Sequence, residues 1–296
     1  MKDEKANRRE RYFWDLTGYL VVRGVLNAED IASANVAIDT VLEQIPTRDM
    51  RTGDSRFLQG TGARWYSGQN LLNLPQPHCE PLRNLLVHPT VVSRLNWMCG
   101  PGFRLDHGPQ FNNAVKGTEG LRMHGAGEPH REFVAYHHQD GESYCGGVTV
   151  TWNLTDCPAG GGGFACVPGS HKSQFRMPRS VRDSDEAEEA IIQPEIMAGD
   201  VLFFMDGAQT HGSHPWRNDH ERRSILYKYA ARAATRGVPS RELCEPETYW
   251  GEETVAEMSA VERAVMFGPA SAPGSDEMFL EVDADGAVFL RKFSRV

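Results

Sequence analysis

Residues 148–154 read Val-Thr-Val-Thr-Trp-Asn-Leu, and residues 201–205 read Val-Leu-Phe-Phe-Met. Both runs are short and rich in β-branched and aromatic residues, which favours β-strands. Similar runs lie at residues 133–136, 164–167, 191–196 and 224–229. Segments rich in Gly, Pro and Asp separate them, and many short strands with turn residues between them are typical of an antiparallel sandwich or barrel. The sequence from Phe103 onward therefore predicts a mainly β fold.

The N-terminal part of the chain favours helices around one short strand. Residues 19–22 are apolar and β-branched and predict an opening strand. Asn27 begins a helical apolar pattern that ends before Pro46, and a second helix is predicted over residues 81–99. The segment between the two helices, residues 46–80, is a predicted long loop.

We expect a single domain, because β-rich domains often reach the 296 residues of this chain. Within it, residues 1–100 flank the sheet region and residues 103–232 form its core. Residues 233–296 form a C-terminal extension that includes a predicted β-hairpin at residues 279–290.

The composition is that of a water-soluble globular protein, with 40% hydrophobic and 24% charged residues. The net charge of −9 and the lack of a basic cluster argue against a nucleic-acid partner, because phosphate binding needs clustered Lys and Arg. The charged N-terminus is not followed by an apolar stretch, and no run approaches the roughly 18 apolar residues of a membrane helix. The six cysteines contain no CxxC pair. These features predict a cytoplasmic protein with reduced thiols and no membrane partner, and they leave a homo-oligomer open.

The first candidate metal ligands lie in the segment Tyr136-His137-His138-Gln139-Asp140. In a strand, residues i and i+2 point to the same face, so His138 and Asp140 would project together. An imidazole beside a carboxylate supplies two of the three ligands of a 2-His-1-carboxylate metal site. A surface histidine paired with an acid explains the same tripeptide, and a slip of one residue would bring His137 forward instead.

A second candidate segment follows the apolar strand that begins after Asp200 and delivers His211 beyond its end. His214, three residues later, competes for the same role. Arg222 comes eleven residues after His211 and is followed by Arg223. An arginine beside a metal holds a carboxylate with two parallel hydrogen bonds, which suits a dicarboxylate cosubstrate. Two solvated arginines in a turn are the alternative.

The candidate segments, in the order in which they occur along the chain, resemble the motifs of the phytanoyl-CoA dioxygenase family of iron(II)/2-oxoglutarate-dependent oxygenases. The resemblance extends over about residues 12–230. It rests on the segments Gly18-Tyr19-Leu20-Val21-Val22, His138-Gln139-Asp140, Trp152-Asn153-Leu154, Gly161-Gly162-Gly163-Phe164, Val167-Pro168-Gly169-Ser170-His171-Lys172, Gly199-Asp200, His211-Gly212-Ser213 and Arg222-Arg223-Ser224.

The resemblance implies a mainly β fold with flanking helices, the double-stranded β-helix or cupin-like jelly roll. It implies that His138, Asp140 and His211 are the iron ligands. The residues that match or approach the positions binding 2-oxoglutarate in the family are Arg222, Ser213, Gln139, Trp152 and Asn112.

The implied reaction needs iron(II), 2-oxoglutarate and O2. Two imidazoles and one carboxylate leave three positions of octahedral iron for the cosubstrate and O2. In similar enzymes, oxidative decarboxylation gives succinate and CO2, and an unactivated C–H bond of a small molecule is oxidised. Related halogenases have a small residue in place of the carboxylate, so the presence of Asp140 favours hydroxylation over halogenation.

No motif identifies the substrate. Candidate substrate contacts are Arg64, Trp65, Tyr66, Arg122 and His124. A surface position is the alternative interpretation for the two arginines. His124 would be a metal ligand if the strand register differs from the expected one. Two other functions use the same features: a non-catalytic jelly-roll binding protein, and a divalent-metal hydrolase that turns over without 2-oxoglutarate.

Overall fold

The computed structural model describes residues 2–48, 52–61, 65–68, 71–125, 135–140, 142–173, 175–185, 189–235, 240–271 and 278–293. Its α-helices are α1 (Lys2–Thr17), α2 (Ala28–Asp39), α3 (Cys79–Leu86), α4 (Pro89–Met98), α5 (Arg179–Arg182), α6 (Pro246–Trp250), α7 (Glu252–Val255) and α8 (Ala260–Arg263). Its strands are β1 (Tyr19–Val22), β2 (Thr47–Arg48), β3 (Trp65–Gly68), β4 (Arg104–Ala114), β5 (Leu121–His124), β6 (Tyr136–Gln139), β7 (Glu142–Cys145), β8 (Gly147–Asn153), β9 (Gly163–Cys166), β10 (Val201–Met205), β11 (His211–His214), β12 (Arg222–Ala230), β13 (Met278–Val282) and β14 (Val288–Lys292). Within these ranges no helix combines the length and the apolar character needed to cross a membrane.

The strands form one large sheet, one small sheet and two hairpins. Seven strands make an antiparallel sheet in the order β1-β10-β8-β12-β4-β3-β2. A three-stranded antiparallel sheet has the order β5-β11-β9, and β6-β7 and β13-β14 are separate hairpins. The protein is therefore mainly β, with helices around several antiparallel sheets.

Helices cover one face of the seven-stranded sheet. Val150 of β8 pairs with Phe203 of β10 and with Tyr227 of β12, so the three side chains share this face. All three are buried in one apolar core with residues of α2, α3 and α4. The buried phenol of Tyr227 donates a hydrogen bond of 2.7 Å to the carbonyl of Leu82 in α3, which fixes that helix on the sheet.

The opposite face, which we call the inner face, meets the three-stranded sheet. Leu202 and Phe204 of β10 point to it and are buried with Phe164 and Cys166 of β9. The ring centroids of Phe164 and Phe204 are 4.8 Å apart. Thr149 pairs with Phe204 and therefore points to the same side. The inner face thus carries polar as well as apolar side chains, as a face that binds a small ligand requires.

Several predicted elements are confirmed. The strands predicted at residues 19–22 and 201–205 are β1 and β10. Asn27 caps α2 as predicted, with its side chain accepting two backbone N–H groups. However, α2 ends at Asp39, well before Pro46, and the chain continues as a short 3-10 turn.

Other predicted elements differ for local reasons. The helix predicted over residues 81–99 is two helices, because Pro89 cannot continue α3 and instead begins α4 with His88 as its N-cap. The strand predicted at residues 191–196 contributes isolated bridges rather than a ladder. The predicted loop at residues 46–80 contains the short strands β2 and β3. Residues 133 and 134 of another predicted strand lie outside the described residues.

The C-terminal segment packs on the rest of the chain. The carbonyl of Val265 accepts a hydrogen bond of 2.7 Å from the N–H of Leu105 in β4. The side chain of Asn96 in α4 donates one of 2.8 Å to the carbonyl of Leu280 in β13. The hairpin predicted at residues 279–290 is confirmed as β13-β14, and it contacts α4.

Candidate active site

His211 begins β11, the central strand of the three-stranded sheet. Its direct neighbours in register are His124 on β5 and Cys166 on β9. His211 is only 7% exposed. Its ring centroid lies 4.2 Å from that of His124 and 4.7 Å from that of Phe204 on the inner face. The strand register therefore brings two histidines from different strands together where the two sheets meet.

The two imidazoles are oriented in the same way. Nδ1 of His211 donates a hydrogen bond of 2.9 Å to the carbonyl of Gln209, and Nδ1 of His124 donates one of 3.0 Å to the carbonyl of Arg122. Because a carbonyl only accepts, each ring carries its proton on Nδ1 and keeps the Nε2 lone pair available. Burial, and then repulsion from His124, lowers the pKa of His211 to about 3, and desolvation by its neighbours lowers the pKa of His124. Both rings are therefore neutral at pH 7, as metal ligation requires.

A carboxylate lies beside the two rings. Asp206 follows β10, and its Oδ1 lies 3.7 Å from Nε2 of His211. Nζ of Lys228 on β12 lies 3.3 and 3.2 Å from the two carboxylate oxygens of Asp206. Burial alone would raise the pKa of Asp206, but the charge of Lys228 and its hydrogen bond to the carboxylate lower it instead. Asp206 is therefore ionised at pH 7.

The structure places His138 and Asp140 on a separate hairpin. β6 pairs with β7, whereas β11 pairs with β5 and β9. Both residues are exposed, and Nδ1 of His138 lies 2.8 Å from Oγ of Ser143 on β7. Asp140 has a φ of +54°, in the left-handed region, so the extended backbone ends at Gln139 and the two side chains do not share a strand face.

The predicted ligands His138, Asp140 and His211 are therefore not brought together. Over the described ranges, no group of three His, Cys, Asp or Glu side chains is arranged to hold a metal ion. The reason is local: the His-x-Asp spacing assumes a continuous strand, and the chain turns at Asp140.

His214, the rival of His211, belongs to a different environment. Residues three apart in a strand point to opposite faces. The ring of His214 lies edge-on to Phe57, with centroids 4.9 Å apart. Burial, and then the charge of Arg217, lowers the pKa of His214 to about 4. Of the two candidates, His211 is the one that lies beside His124.

Three predicted cosubstrate residues lie in strands that border the inner face. Arg222 begins β12 and is 5% exposed, and its Nε lies 3.0 Å from the position that a Cβ would take at Gly163 of β9. Ser224, two residues on, pairs with Asn112 of β4, so Arg222, Ser224 and Asn112 share one face. Ser213 lies on β11. Its Oγ and that of Ser224 are buried and have no hydrogen-bond partner among the described residues. An arginine near unpaired buried hydroxyls suits a bound carboxylate.

Two other predicted cosubstrate contacts lie apart from these residues. Trp152 pairs with Ile225, and both point to the helix-covered face of the sheet. The ring of Trp152 lies 5.3 Å from that of His88 at the start of α4. Side chains alternate along β8, so Thr151 and not Trp152 takes the inward position. Gln139 is exposed on the β6-β7 hairpin.

The predicted substrate contacts are described only in part. Arg64 lies outside the described residues, as do the side chains of Trp65 and Tyr66, whose backbone forms part of β3. Nη2 of Arg122 lies 2.5 Å from Oδ1 of Asp183, so this arginine forms an ion pair within the fold. His124 lies beside His211.

Sequence reasoning missed Ser224, Lys228 and Asp206. The first two carried a signal, because they follow Arg222 at even spacing in an otherwise apolar strand and so share its face. Asp206 follows the end of β10, and its proximity to His211 depends on how the chain returns from one sheet to the other.

Comparisons with known proteins indicate the family of this chain. A family model of phytanoyl-CoA dioxygenases matches residues 14–224, which is more than half of the chain. No curated protein matches the chain. HygX from Streptomyces hygroscopicus, solved with nickel, 2-oxoglutarate and hygromycin B bound, is 21% identical; 76% of this chain and 87% of HygX are covered, with a TM-score of 0.60.

Two further solved structures come from nogalamycin biosynthesis. The non-heme alpha-ketoglutarate-dependent carbocyclase SnoK is 19% identical, with 77% of this chain and 85% of SnoK covered and a TM-score of 0.54. The epimerase SnoN, in complex with Fe3+, alpha-ketoglutarate and nogalamycin RO, is 19% identical, with 80% of this chain and 89% of SnoN covered and a TM-score of 0.56. At such low sequence identities, the similarity to these solved structures shows only the fold. The family model, in contrast, matches the amino-acid sequence of this chain. The chain belongs to the phytanoyl-CoA dioxygenase family, which confirms the family and the iron(II)/2-oxoglutarate-dependent enzyme predicted from its sequence.

Proposed function

We propose that this chain is a dioxygenase that hydroxylates an unactivated C–H bond of a small molecule and converts 2-oxoglutarate into succinate and CO2. The observation that carries the proposal is a buried arginine, Arg222, close to the sheet that holds the neutral pair His124 and His211. We also propose that the seven-stranded and three-stranded sheets are the two walls of a jelly roll.

The spacing along β11 suits 2-oxoglutarate. Ser213 is two residues from His211, which is roughly 7 Å along a strand. Ser213 pairs with Phe164, and the preceding Gly163 approaches Arg222. Ser213 thus lies between His211 and the glycine that approaches Arg222, which supports placing 2-oxoglutarate with one end at a metal beside His211 and the other at the guanidinium.

Each residue has a defined task in this proposal. Arg222 binds the distal carboxylate through two parallel hydrogen bonds. Ser213 and Ser224 donate their buried hydroxyls, which otherwise lack an acceptor within the described structure. The neutral imidazole of His211 would be among the ligands of iron(II), which, with 2-oxoglutarate and O2, would supply the oxidant for the C–H bond.

The reaction outcome depends on the fate of the substrate once a hydrogen atom has been removed. HygX was solved with hygromycin B bound, SnoK is a carbocyclase and SnoN an epimerase, so similar folds handle small molecules with different outcomes. Mass spectrometry distinguishes the outcomes. Hydroxylation adds one oxygen atom, ring closure removes two hydrogen atoms, and epimerisation leaves the mass unchanged.

Succinate release tests the function directly. The protein is supplied with iron(II), 2-oxoglutarate and O2, with and without a panel of small-molecule substrates. We expect succinate in a molar ratio to 2-oxoglutarate consumed that is close to one. A divalent-metal hydrolase would turn over its substrate without 2-oxoglutarate, and a non-catalytic binding protein would release no succinate with any substrate. Either result would refute the proposal.

A further inference from the structure

We infer that the chain binds a small monocarboxylate with a compact apolar body in a pocket on the outer side of the three-stranded sheet. This outer pocket has a volume of about 300 Å³, and its described lining includes Phe57, Ile191, His214, Pro215 and Arg217. Ligand sites range from about 300 to 1,000 Å³, so the outer pocket holds only a small molecule.

Strand alternation separates the outer pocket from the proposed 2-oxoglutarate site. His211 and Ser213 are two residues apart on β11, and the ring of His211 contacts Phe204 on the inner face of the seven-stranded sheet. His214 comes directly after Ser213, so its side chain points to the opposite side of β11, where it lines the outer pocket. The three-stranded sheet therefore lies between a molecule in the outer pocket and the proposed cosubstrate.

Two polar groups of the outer pocket have no partner within the described structure. Nε2 of His214 is buried and makes no hydrogen bond there. The guanidinium of Arg217 forms no ion pair among the described residues, and its central carbon lies 5.3 Å from the ring centroid of Phe57. Apart from burial, the charge of Arg217 is what lowers the pKa of His214, so the cation lies near the imidazole. A bound ligand with hydrogen-bond acceptors satisfies both groups.

A carboxylate suits this pair of donors. In the tautomer with its proton on Nε2, the neutral ring of His214 donates one hydrogen bond to a carboxylate oxygen. The guanidinium of Arg217 donates charge-assisted hydrogen bonds to the same group. The described residues that line the pocket include no Asp or Glu, so a bound anion meets no like charge among them.

The rest of the described wall is apolar and disfavours a second charge. It consists largely of Phe57, Ile191 and Pro215, and the ring of Phe57 lies edge-on to that of His214 with centroids 4.9 Å apart. The second carboxylate of a molecule such as succinate would lie against these side chains without a counterion, which is unfavourable. The outer pocket therefore favours a monocarboxylate with an apolar body, such as an aromatic acid.

Hydrogen bonds hold the turn beside Arg217 in place, so the outer pocket is formed before a ligand binds. The N–H of Arg217 donates a hydrogen bond of 2.9 Å to the carbonyl of Gly161. The side chain of Gln193 accepts one of 2.9 Å from the N–H of Gly162 and donates one of 3.0 Å to the carbonyl of Pro158. A preformed site lowers the entropic cost of binding.

Fluorine NMR with 4-fluorobenzoate as the probe tests the outer pocket in the full chain. Saturating cobalt(II) and 2-oxoglutarate are present throughout, so that the proposed cosubstrate site is occupied. 4-Fluorobenzyl alcohol has the same apolar body without the charge, and competition by succinate tests for a dicarboxylate. The test variants are Arg217→Gln and His214→Phe. The matched control is Arg56→Gln, which removes an exposed positive charge next to Phe57 but outside the described lining of the pocket.

We expect 4-fluorobenzoate to bind the wild type with a Kd of about 1 mM or below. Arg217→Gln should raise this Kd about fivefold, because the cation is exposed, and His214→Phe about tenfold, because a buried hydrogen bond to a charged group is lost. Arg56→Gln should stay within about twofold, and the alcohol should bind at least about fivefold more weakly than the acid. Thermal unfolding checks each fold, and His214→Leu is used if the phenylalanine variant is unstable.

Several outcomes would overturn the inference. An unchanged Kd in either Arg217→Gln or His214→Phe would show that the carboxylate is not held by this pair of groups. An equal loss in Arg56→Gln would point to a general effect of positive charge. Competition by succinate as strong as that of unlabelled benzoate, or equal binding of the alcohol, would show that the pocket does not favour a monocarboxylate. Absence of probe binding to the wild type at about ten times the expected Kd would rule out the site.

Discussion

Replacing Arg222 with alanine should selectively weaken binding of 2-oxoglutarate. Arg222 is 5% exposed at the start of β12, close to Gly163 on the facing sheet. Its guanidinium is the proposed site of the distal carboxylate. The alanine variant removes two charge-assisted hydrogen bonds and leaves that carboxylate without its counterion.

The expected size follows from the burial of the arginine. A hydrogen bond to a charged group contributes about 1.5–3 kcal/mol net, and water entering the space left by Arg222 recovers part of two such bonds. We therefore expect a loss of about 2–4 kcal/mol, which raises the Kd of 2-oxoglutarate about 30- to 700-fold. Arg222→Lys keeps the charge but not the planar fork, so its Kd should lie between those of the wild type and the alanine variant.

Isothermal titration calorimetry with cobalt(II) in place of iron measures this Kd without turnover. Arg223→Ala is the matched control, because Arg223 is the next residue of β12 and points away from the inner face. Its guanidinium lies 2.8 Å from Asp39 and 3.0 Å from Glu221, so its loss should affect stability by less than about 1 kcal/mol. The KM for 2-oxoglutarate in the succinate assay should rise in parallel with the Kd of the Arg222 variants.

Normal 2-oxoglutarate affinity in Arg222→Ala, with the fold intact, would refute the placing of the cosubstrate. So would an equal loss in Arg223→Ala, since a general effect of positive charge would then explain both. In either case the carboxylate would have to be bound elsewhere on the inner face.

Three further predictions concern the surroundings of the site. Gly125→Ala should lower the free energy of unfolding by about 2–5 kcal/mol in urea titrations, because its Cβ would lie 2.3 Å from the carbonyl oxygen of Gln209; an unchanged midpoint would contradict the close strand approach. Burial lowers the pKa of His171 to about 4, below the value of about 6.5 in an unfolded chain, so the folded state binds fewer protons. The contribution of His171 to the free energy of unfolding should be fully present above about pH 6.5 and should decline by up to about 3 kcal/mol as the pH falls toward 4. His171→Gln should flatten the dependence of the free energy of unfolding on pH over that range. Trp152→Phe should lower stability by about 1–2 kcal/mol yet leave the Kd of 2-oxoglutarate within about twofold, since the ring packs near His88 on the far face; a large rise in Kd would show that Trp152 contacts the cosubstrate.

The strands of the seven-stranded sheet could be predicted because their signal is local. Residues 201–205 are apolar and short, and β10 has those bounds. The same local pattern does not indicate which face of the seven-stranded sheet contacts the ligand. Trp152 and Thr151 alternate along β8, and only the packing of helices on one side decides that Trp152 lies in the helix-covered core.

The surroundings of His211 were harder to predict because the residues that meet there are far apart in the sequence. His138 and Asp140 form a local His-x-Asp pattern, but Asp140 itself is in the left-handed region and ends the strand before the pattern is complete. His124 carries a weak pattern, yet the register of β5 against β11 sets it directly opposite His211. Strand register depends on both sheets together, and no window of a few residues contains it.

The sequence does carry one sign of this register, in the residues that come directly after the two opposed histidines. Each histidine is followed by glycine. A Cβ at Gly125 would lie 2.3 Å from the carbonyl oxygen of Gln209, next to β11, and a Cβ at Gly212 would lie 2.6 Å from the carbonyl oxygen of Leu121 in β5. Each glycine therefore lies against the chain that carries the other histidine, and both are needed for the strands to approach so closely. His138 is followed by glutamine and has no such counterpart. Two His-Gly dipeptides on strands expected to be neighbours thus indicate the register that places His124 opposite His211.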